Sequence, residues 1–391
     1  MTFEKKKSGE KIRVLFIFGT RPEAVKMAPL YLALREDARF EPLLCVTAQH
    51  RQMLDTVLEI FGISPDYDLD IMKAAQTLSY ITTAVLTGVE TVLKTCRPDI
   101  VLVHGDTTTT FASALSAFYQ QVPVGHVEAG LRSFDMSSPF PEELNRRLVA
   151  PMASVHFSPT PANRENLLAE RIAAPIFVTG NTAIDALSYT VRNDYAFKTS
   201  AVRGLFPTDR CILLLTAHRR ENLGTPMRQI FAAVRQVAEE FPDVQVVYPV
   251  HLNPAVREPA HEMLDGLQNV LLCDPLDVDD MHNLMERAYL VLTDSGGLQE
   301  EAPALGRPVL VLRTETERPE AVRAGTVKMA GVETERIYAL TKELLTDAPA
   351  YAGMARAVNP YGDGHACARI RQALLYLFGC GEKPVDFQPE P

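Results

Sequence analysis

No apolar stretch in this sequence approaches the ~18 residues needed to cross a bilayer, so a membrane role would have to be peripheral. Positive charge is also scarce. A formal net charge of −10 and a pI of about 5.5 argue against a nucleic-acid binder, whose footprint is a basic patch or stripe, and cations for an anionic ligand must be placed locally. The six cysteines (Cys45, Cys96, Cys211, Cys273, Cys367 and Cys380) form no C-x-x-C pair, zinc-like spacing or disulfide framework. That pattern fits a reducing cytoplasm and predicts no metal. No G-x-G-x-x-G follows the first apolar run and no Walker A motif occurs, so no nucleotide cofactor is expected. A fixed-period repeat is missing too, which excludes solenoids and propellers. Lys5, Lys6 and Lys7 ahead of Val14 to Phe18 imitate a secretory signal. The run is short, however, and meets Gly19-Thr20-Arg21-Pro22-Glu23 in place of a small-residue cleavage site, so it reads as a buried strand.

What is present is an α/β pattern. The chain has 391 residues, 47% hydrophobic and 23% charged, and at ~150 residues per domain two domains are expected. Short Val/Ile/Leu runs alternate with helix-length segments, as when parallel strands are buried on both faces by crossover helices. Strands are predicted at Ile12 to Phe18, Glu41 to Val46, Ile100 to His104, Pro123 to Val127, Val155 to Ser158 and Ile176 to Thr179. The rhythm restarts at Cys211 to Thr216, then Val244 to Pro249, Asn269 to Leu272, Leu290 to Thr293 and Val309 to Leu312. Between the halves, the polar segment Tyr189 to Asp209 reads as a linker, so each half should be one doubly wound sheet. Glu382 to Pro391, with three prolines and three acids, reads as a frayed tail.

Ligands of such sheets bind beyond the carboxyl ends of strands, which directs attention to polar residues that follow apolar runs. After the first strand, Arg21 and Lys26 flank a helix start, where two cations and backbone N–H groups suit a phosphate as well as plain solvent exposure. His104-Gly105-Asp106-Thr107 ends the third run, and Asp106 serves equally as helix cap or as catalyst. The next run ends His126-Val127-Glu128, and Pro141-Glu142-Glu143 opens a helix soon after, where an acid also favours the helix dipole. Three acidic clusters along one edge exceed what capping needs, and paired carboxylates are the usual equipment for proton transfer. In the second half, Ala217-His218-Arg219-Arg220 sets an imidazole beside two guanidinium groups. Asp294-Ser295-Gly296-Gly297 forms a strand–turn–helix whose amides can cradle a diphosphate, with Glu301 about one turn on, within reach of a ribose.

Together with Val127-Glu128-Ala129-Gly130-Leu131-Arg132, Thr316-Glu317-Arg318-Pro319-Glu320 and Asn359-Pro360-Tyr361-Gly362-Asp363-Gly364, these segments resemble the non-hydrolysing UDP-N-acetylglucosamine 2-epimerases, in unbroken order from about Lys11 to about Phe378. The resemblance implies the GT-B fold, two Rossmann-like domains facing across a cleft. It assigns 1–188 to a sugar-side catalytic domain, 189–360 to a UDP-binding domain, 361–378 to a helix returning to the first domain and 379–391 to a flexible tail. It implies a homodimer. Carried over by position, Asp106, Glu128, Glu142 and His218 are the catalytic group. Arg21 and Lys26 face sugar and phosphates, Ser295, Gly296 and Gly297 hold the diphosphate, Glu301 the ribose, and Arg318 the nucleotide. Val278 and Met281 stand where the family usually carries aromatics, and Met281 is counted with the substrate-binding residues. A regulatory second-substrate site would draw on Gln49, His50, Gln52 and Gln76, with Arg219 and His251; Ala74-Ala75 replaces a commoner Pro-Gly beside Gln76.

The implied reaction interconverts UDP-N-acetylglucosamine and UDP-N-acetylmannosamine, supplying activated N-acetylmannosamine for cell-surface polysaccharide. The C2 hydrogen of an intact hexosamine is not acidic, and transient oxidation at C3 would need a nicotinamide whose fingerprint is absent. Anti elimination of UDP to a 2-acetamidoglucal, then readdition, needs no cofactor. Alternatives are a 2-epimerase acting on UDP-2,3-diacetamido-uronates, a hydrolysing 2-epimerase, a GT-B glycosyltransferase and a nucleotide-sugar sensor.

Overall fold

The computed structural model describes residues 3–7, 9–48, 51–73 and 76–389, without the side chains of 51–53. The chain divides into two compact units, Met1–Tyr189 with Tyr361–Gln388, and Thr190–Pro360. In the first, the order is β1 (Ile12–Phe18), α1 (Arg21–Arg35), β2 (Phe40–Val46), α2 (Arg51–Phe61), β3 (Tyr67–Asp68), α3 (Leu78–Cys96), β4 (Ile100–His104), α4 (Thr108–Tyr119), β5 (Val124–Val127), α5 (Glu142–Met152), β6 (Val155–Ser158), α6 (Pro161–Ala169), β7 (Ile176–Val178) and α7 (Thr182–Thr190). In the second it is α8 (Ser200–Arg203), β8 (Cys211–Thr216), α9 (Thr225–Glu240), β9 (Val244–Pro249), α10 (Pro254–Leu264), β10 (Val270–Cys273), α11 (Val278–Arg287), β11 (Leu290–Thr293), α12 (Leu298–Ala304), β12 (Val309–Val311), α13 (Pro319–Ala324), β13 (Val327–Met329), α14 (Thr334–Thr346) and α15 (Ala348–Ala355). The last helix, α16 (Ala366–Leu377), belongs to the first unit and packs on α1.

Among the described residues each unit carries one parallel sheet, of order β3-β2-β1-β4-β5-β6-β7 and β10-β9-β8-β11-β12-β13. This is the two-domain α/β architecture anticipated from the alternating runs. Strands such as β1 and β4 are buried along nearly their whole length because helices cover both faces, which is why they read as continuous apolar runs. The helices obey the other period. In α3 the buried set Ile81, Val85, Val89, Val92, Leu93 and Cys96 recurs every three or four residues; Thr77 accepts from Tyr80 N at its start, and left-handed Arg97 ends it. Burying each large apolar side chain contributes about 1.5–3 kcal/mol.

Topology positions the functional ends. Strand order reverses between β1 and β4 in one sheet and between β8 and β11 in the other, so the crevices of the two sheets open beyond Phe18 and His104, and beyond Thr216 and Thr293.

Two expectations are corrected. The segment from Tyr189 to Asp209 is not a loose linker after Thr190, because buried Asp280 on α11 accepts from Tyr195 Oη (2.8 Å), Lys198 N (2.9 Å) and Thr199 N (2.8 Å), fastening it to the second unit. The tail is not frayed as far as Phe387. Asp386 accepts from Val178 N at 2.9 Å and pairs with Arg164, Phe387 N donates to Val178 O at 2.7 Å, and the Phe387 ring is buried beneath Arg369. One buried aromatic and one edge-strand pairing outweigh a composition rich in prolines and acids.

Candidate active site

In the first unit the loop after β1 is locked to the start of α4 by Glu23. This fully buried carboxylate accepts from Gly19 N (3.1 Å), Thr20 N (2.9 Å), Thr20 Oγ1 (2.8 Å), Thr107 Oγ1 (2.7 Å) and Thr110 Oγ1 (3.1 Å). Burial raises its pKa and these donors oppose the rise. Thr107, not Asp106, caps α4, since its Oγ1 accepts from Thr110 N. Asp106 is therefore released from the capping role.

Asp106 instead meets Arg146 of α5, Nη2 to Oδ2 at 2.8 Å, with its side chain 27% exposed. Burial raises its pKa, Arg146 opposes this, and the charges of Glu128 and Glu142 add to the rise. Asn145 Nδ2 holds the Asp106 carbonyl at 2.9 Å. Glu142 opens α5, half-buried, whereas its neighbour Glu143 is fully buried and accepts from Ser133 N (3.0 Å), Phe134 N (3.2 Å) and Arg147 Nε (2.9 Å). Of the two acids, Glu143 is the structural one.

Glu128 follows β5 with φ of 60°, a left-handed conformation that a non-glycine residue adopts at a cost of order 1–3 kcal/mol. Its carboxylate pairs with Lys26 of α1 and accepts from Asn181 Nδ2 at 2.8 Å, while His104 Nε2 stands 3.7 Å away. His104 and His126 are buried and pushed down to about 4, so both are neutral imidazoles at pH 7. His126 Nε2 meets the Gly105 carbonyl at 2.7 Å, bracing the turn that carries Asp106.

In the second unit the strand-end loops are organised by a buried carboxylate. Asp294, fully buried, accepts from His218 N and Arg219 N (both 2.8 Å) and from Asn222 Nδ2 (3.0 Å), which folds the loop after β8 over the end of β11. The exposed His218 ring stacks on His251 with centroids 5.5 Å apart. Gly296 faces Arg318, whose Nε donates to Glu300 Oε1 at 2.5 Å, and Gly297 precedes α12. Glu301, nearly buried, lies 3.6 Å from His282 Nε2. Burial would push Glu317 up, but Arg313 and Arg318 hold it at about 2. No cluster of His, Cys, Asp or Glu suited to a metal is present among the described residues. No helix among them is long and apolar enough to cross a membrane.

The family model for UDP-N-acetylglucosamine 2-epimerase matches residues 32–375. The chain belongs to the UDP-N-acetylglucosamine 2-epimerase family. It is 55% identical over 378 residues to the UDP-N-acetylglucosamine 2-epimerase of Bacillus subtilis, covering 96% of this chain and 98% of that one. Its fold matches the S. aureus MnaA–UDP structure with a TM-score of 0.88 at 50% identity, over 96% of this chain and all of that one (100%). It matches the Neisseria meningitidis UDP-GlcNAc 2-epimerase bound to UDP-GlcNAc with a TM-score of 0.84 at 46% identity, over 93% and 100%.

Within this 2-epimerase fold, Lys26, Asp106, Glu128 and Glu142 gather beyond the ends of β1, β4 and β5, with Arg21 at the first position of α1. Ser295, Gly296, Gly297, Glu301 and Arg318 gather around α12, and half-buried Met281 lies on α11. Of the residues ascribed to regulation, Gln49 and His50 and the side chain of Gln52 lie outside the described residues; Gln76 is half-buried in the first unit, and Arg219 and His251 adjoin His218 in the second. Residue-by-residue reasoning missed His104, Arg146 and Asn181. His104 stood inside a motif already singled out, Arg146 lies one turn beyond Pro141-Glu142-Glu143, and Asn181 follows β7 at the kind of strand end that the ligand rule directs one to inspect.

Proposed function

We propose that this 2-epimerase interconverts UDP-N-acetylglucosamine and UDP-N-acetylmannosamine by anti elimination of UDP and readdition to a 2-acetamidoglucal. The observation that carries this reading is the half-buried carboxylate cluster Asp106, Glu128 and Glu142 with its paired cations Lys26 and Arg146. Elimination needs a base to take the C2 proton as the C1–O bond to UDP breaks. Reversal on the opposite face needs an acid to return a proton to C2. Glu128, charge-paired with Lys26 and hydrogen-bonded by Asn181, suits the base, while burial and the nearby charges of Glu128 and Glu142 raise the pKa of Asp106, which suits the acid. His218 adds a titratable imidazole, and Glu142 a third carboxylate.

UDP must be both leaving group and nucleophile, so it has to be retained as an anion. Backbone amides of Ser295 to Gly297 with Arg318, backed by Glu300, support diphosphate binding, and Glu301 supports a ribose contact. The relative bound to UDP-GlcNAc supports the substrate class. The sugar product would supply activated N-acetylmannosamine for polysaccharide, and the active species would be a homodimer, with Arg219 and His251 in a regulatory site. Incubation with UDP-N-acetylglucosamine alone, without nicotinamide or metal, followed by NMR, tests the reaction. Equilibration with UDP-N-acetylmannosamine is expected; release of UDP with free N-acetylmannosamine would replace this reading by a hydrolytic one.

A further inference from the structure

Asn181 joins two features that the catalytic reading leaves apart. It is 2% exposed, at the strand end between β7 and α7. Its Nδ2 donates to Glu128 Oε2 at 2.8 Å, its Oδ1 accepts from Ala183 N at 3.0 Å, and its backbone N donates to Tyr361 O at 2.6 Å. The side chain is thus fixed at both ends of its amide, and the backbone is fixed to the segment by which the chain re-enters the first unit.

The glycines of that segment explain how the contact is reached. A Cβ on Gly362, whose φ is 151°, would lie 3.4 Å from Asn181 N, and a Cβ on Gly180, at φ 84°, would lie 3.3 Å from the Gly362 Cα. Backbones approach this closely only where side chains are missing. Asp185 on α7 accepts from Ala366 N (3.1 Å) and Cys367 N (2.9 Å), pinning the start of α16 to the same place. The motif Tyr361-Gly362-Asp363-Gly364, to which the chemistry assigns no role, is the support on which Asn181 rests.

We infer that Asn181 is a positioning residue: anchored to the Tyr361–Gly362 turn, it aims the Glu128 carboxylate for proton transfer at C2. The inference rests on the epimerase reading for its consequence in catalysis. The amide contributes what Lys26 does not, direction without charge. Lys26 can follow Glu128 on a flexible stem, whereas the amide is locked by its second hydrogen bond. A neutral donor to a carboxylate favours its ionised form, so removing that donor raises the carboxylate's pKa, and a carboxylate in the donor's place raises it further. The ionisable groups about Glu128 include, among the described residues, Lys26 from α1, His104 and Asp106 at the end of β4, and His126 on β5.

The test uses the full-length protein with Asn181→Ala and Asn181→Asp. Epimerisation is followed against pH, and the Glu128 carboxyl is titrated by 13C NMR without substrate, assigned by its loss in Glu128→Gln. Expected for Asn181→Ala is a fall in kcat of about tenfold or more with KM within about threefold, since a hydrogen bond to a charged group is lost where it acts on the reacting proton. For Asn181→Asp the acid limb of kcat/KM and the Glu128 titration should both move up by about one pH unit. Unchanged kcat in Asn181→Ala, or an activity loss in Asn181→Asp with both titrations unmoved, would overturn the inference. Should wild-type protein fail to epimerise while the Glu128 titration still moves in the variants, the epimerase reading falls and the positioning of Glu128 by Asn181 stands.

Discussion

Gly296 lies against the Arg318 guanidinium, so that a Cβ on Gly296 would fall 2.6 Å from Nη1. Arg318 cannot simply retreat, because its Nε is held by Glu300 at 2.5 Å. Gly296→Ala should therefore displace the guanidinium and weaken UDP binding by about tenfold or more, the worth of one charge-assisted hydrogen bond. Titration calorimetry with UDP measures this; wild-type affinity in the variant would remove Arg318 from the nucleotide site.

The stacked imidazoles of His218 and His251, inclined by only 9°, link a residue proposed for catalysis to one proposed for regulation. If a second substrate molecule binds at His251, initial rates should rise sigmoidally with UDP-N-acetylglucosamine, and His251→Ala should lower the Hill coefficient toward one. Hyperbolic kinetics in the wild type would dispose of the regulatory site.

Asp106→Asn should lower kcat by about 10²-fold or more, as should Glu142→Gln, if these groups carry protons. The stability effect runs the other way. A carboxyl whose native pKa is raised binds its proton more tightly folded than unfolded, so its ionisation destabilises the fold as pH rises past the unfolded value. Asp106→Asn should then melt at or above the wild-type temperature at pH 7. Scanning calorimetry beside the rate assay checks both, and a lower melting point would show the Arg146 pair to be chiefly structural.

How far the sequence was legible follows from these residues. Strands buried on both faces were visible as apolar runs, and β1, β4, β6, β8, β9 and β11 begin and end where the runs do. Tyr67–Asp68 and Val327–Met329 were invisible, because Asp68 and Lys328 interrupt them and neither forms a continuous apolar run like those of the equally short Ile176–Val178 and Val309–Val311. The carboxylates were legible as acids at strand ends. Their partners were harder: Arg146 reaches Asp106 from the second turn of a helix, and Asn181 reaches Glu128 across an interval of 53 residues. Tertiary contacts of that kind are set by sheet order, which short-range pattern does not encode.

Glu317, depressed from 4.5 to about 2 despite burial, predicts a specific acid response. A carboxyl with a lowered native pKa contributes its full stabilisation above the unfolded value and loses it as pH falls through the folded one. The contribution, of order 3 kcal/mol at pH 7, should decline between pH of about 4.5 and about 2. Urea denaturation across that window should be steeper in pH for wild type than for Glu317→Gln. Parallel curves would mean that Arg313 and Arg318 do not hold Glu317 ionised.

The central claim, that the C2 proton is lost and regained while UDP leaves and returns, is tested most directly by running the reaction in deuterated water. Incubation with UDP-N-acetylglucosamine should give UDP-N-acetylmannosamine bearing deuterium at C2, with label entering the recovered substrate as the reaction reverses, and an oxygen-18 label in the bond from C1 to the diphosphate should scramble. Interconversion that leaves hydrogen at C2 would contradict the account.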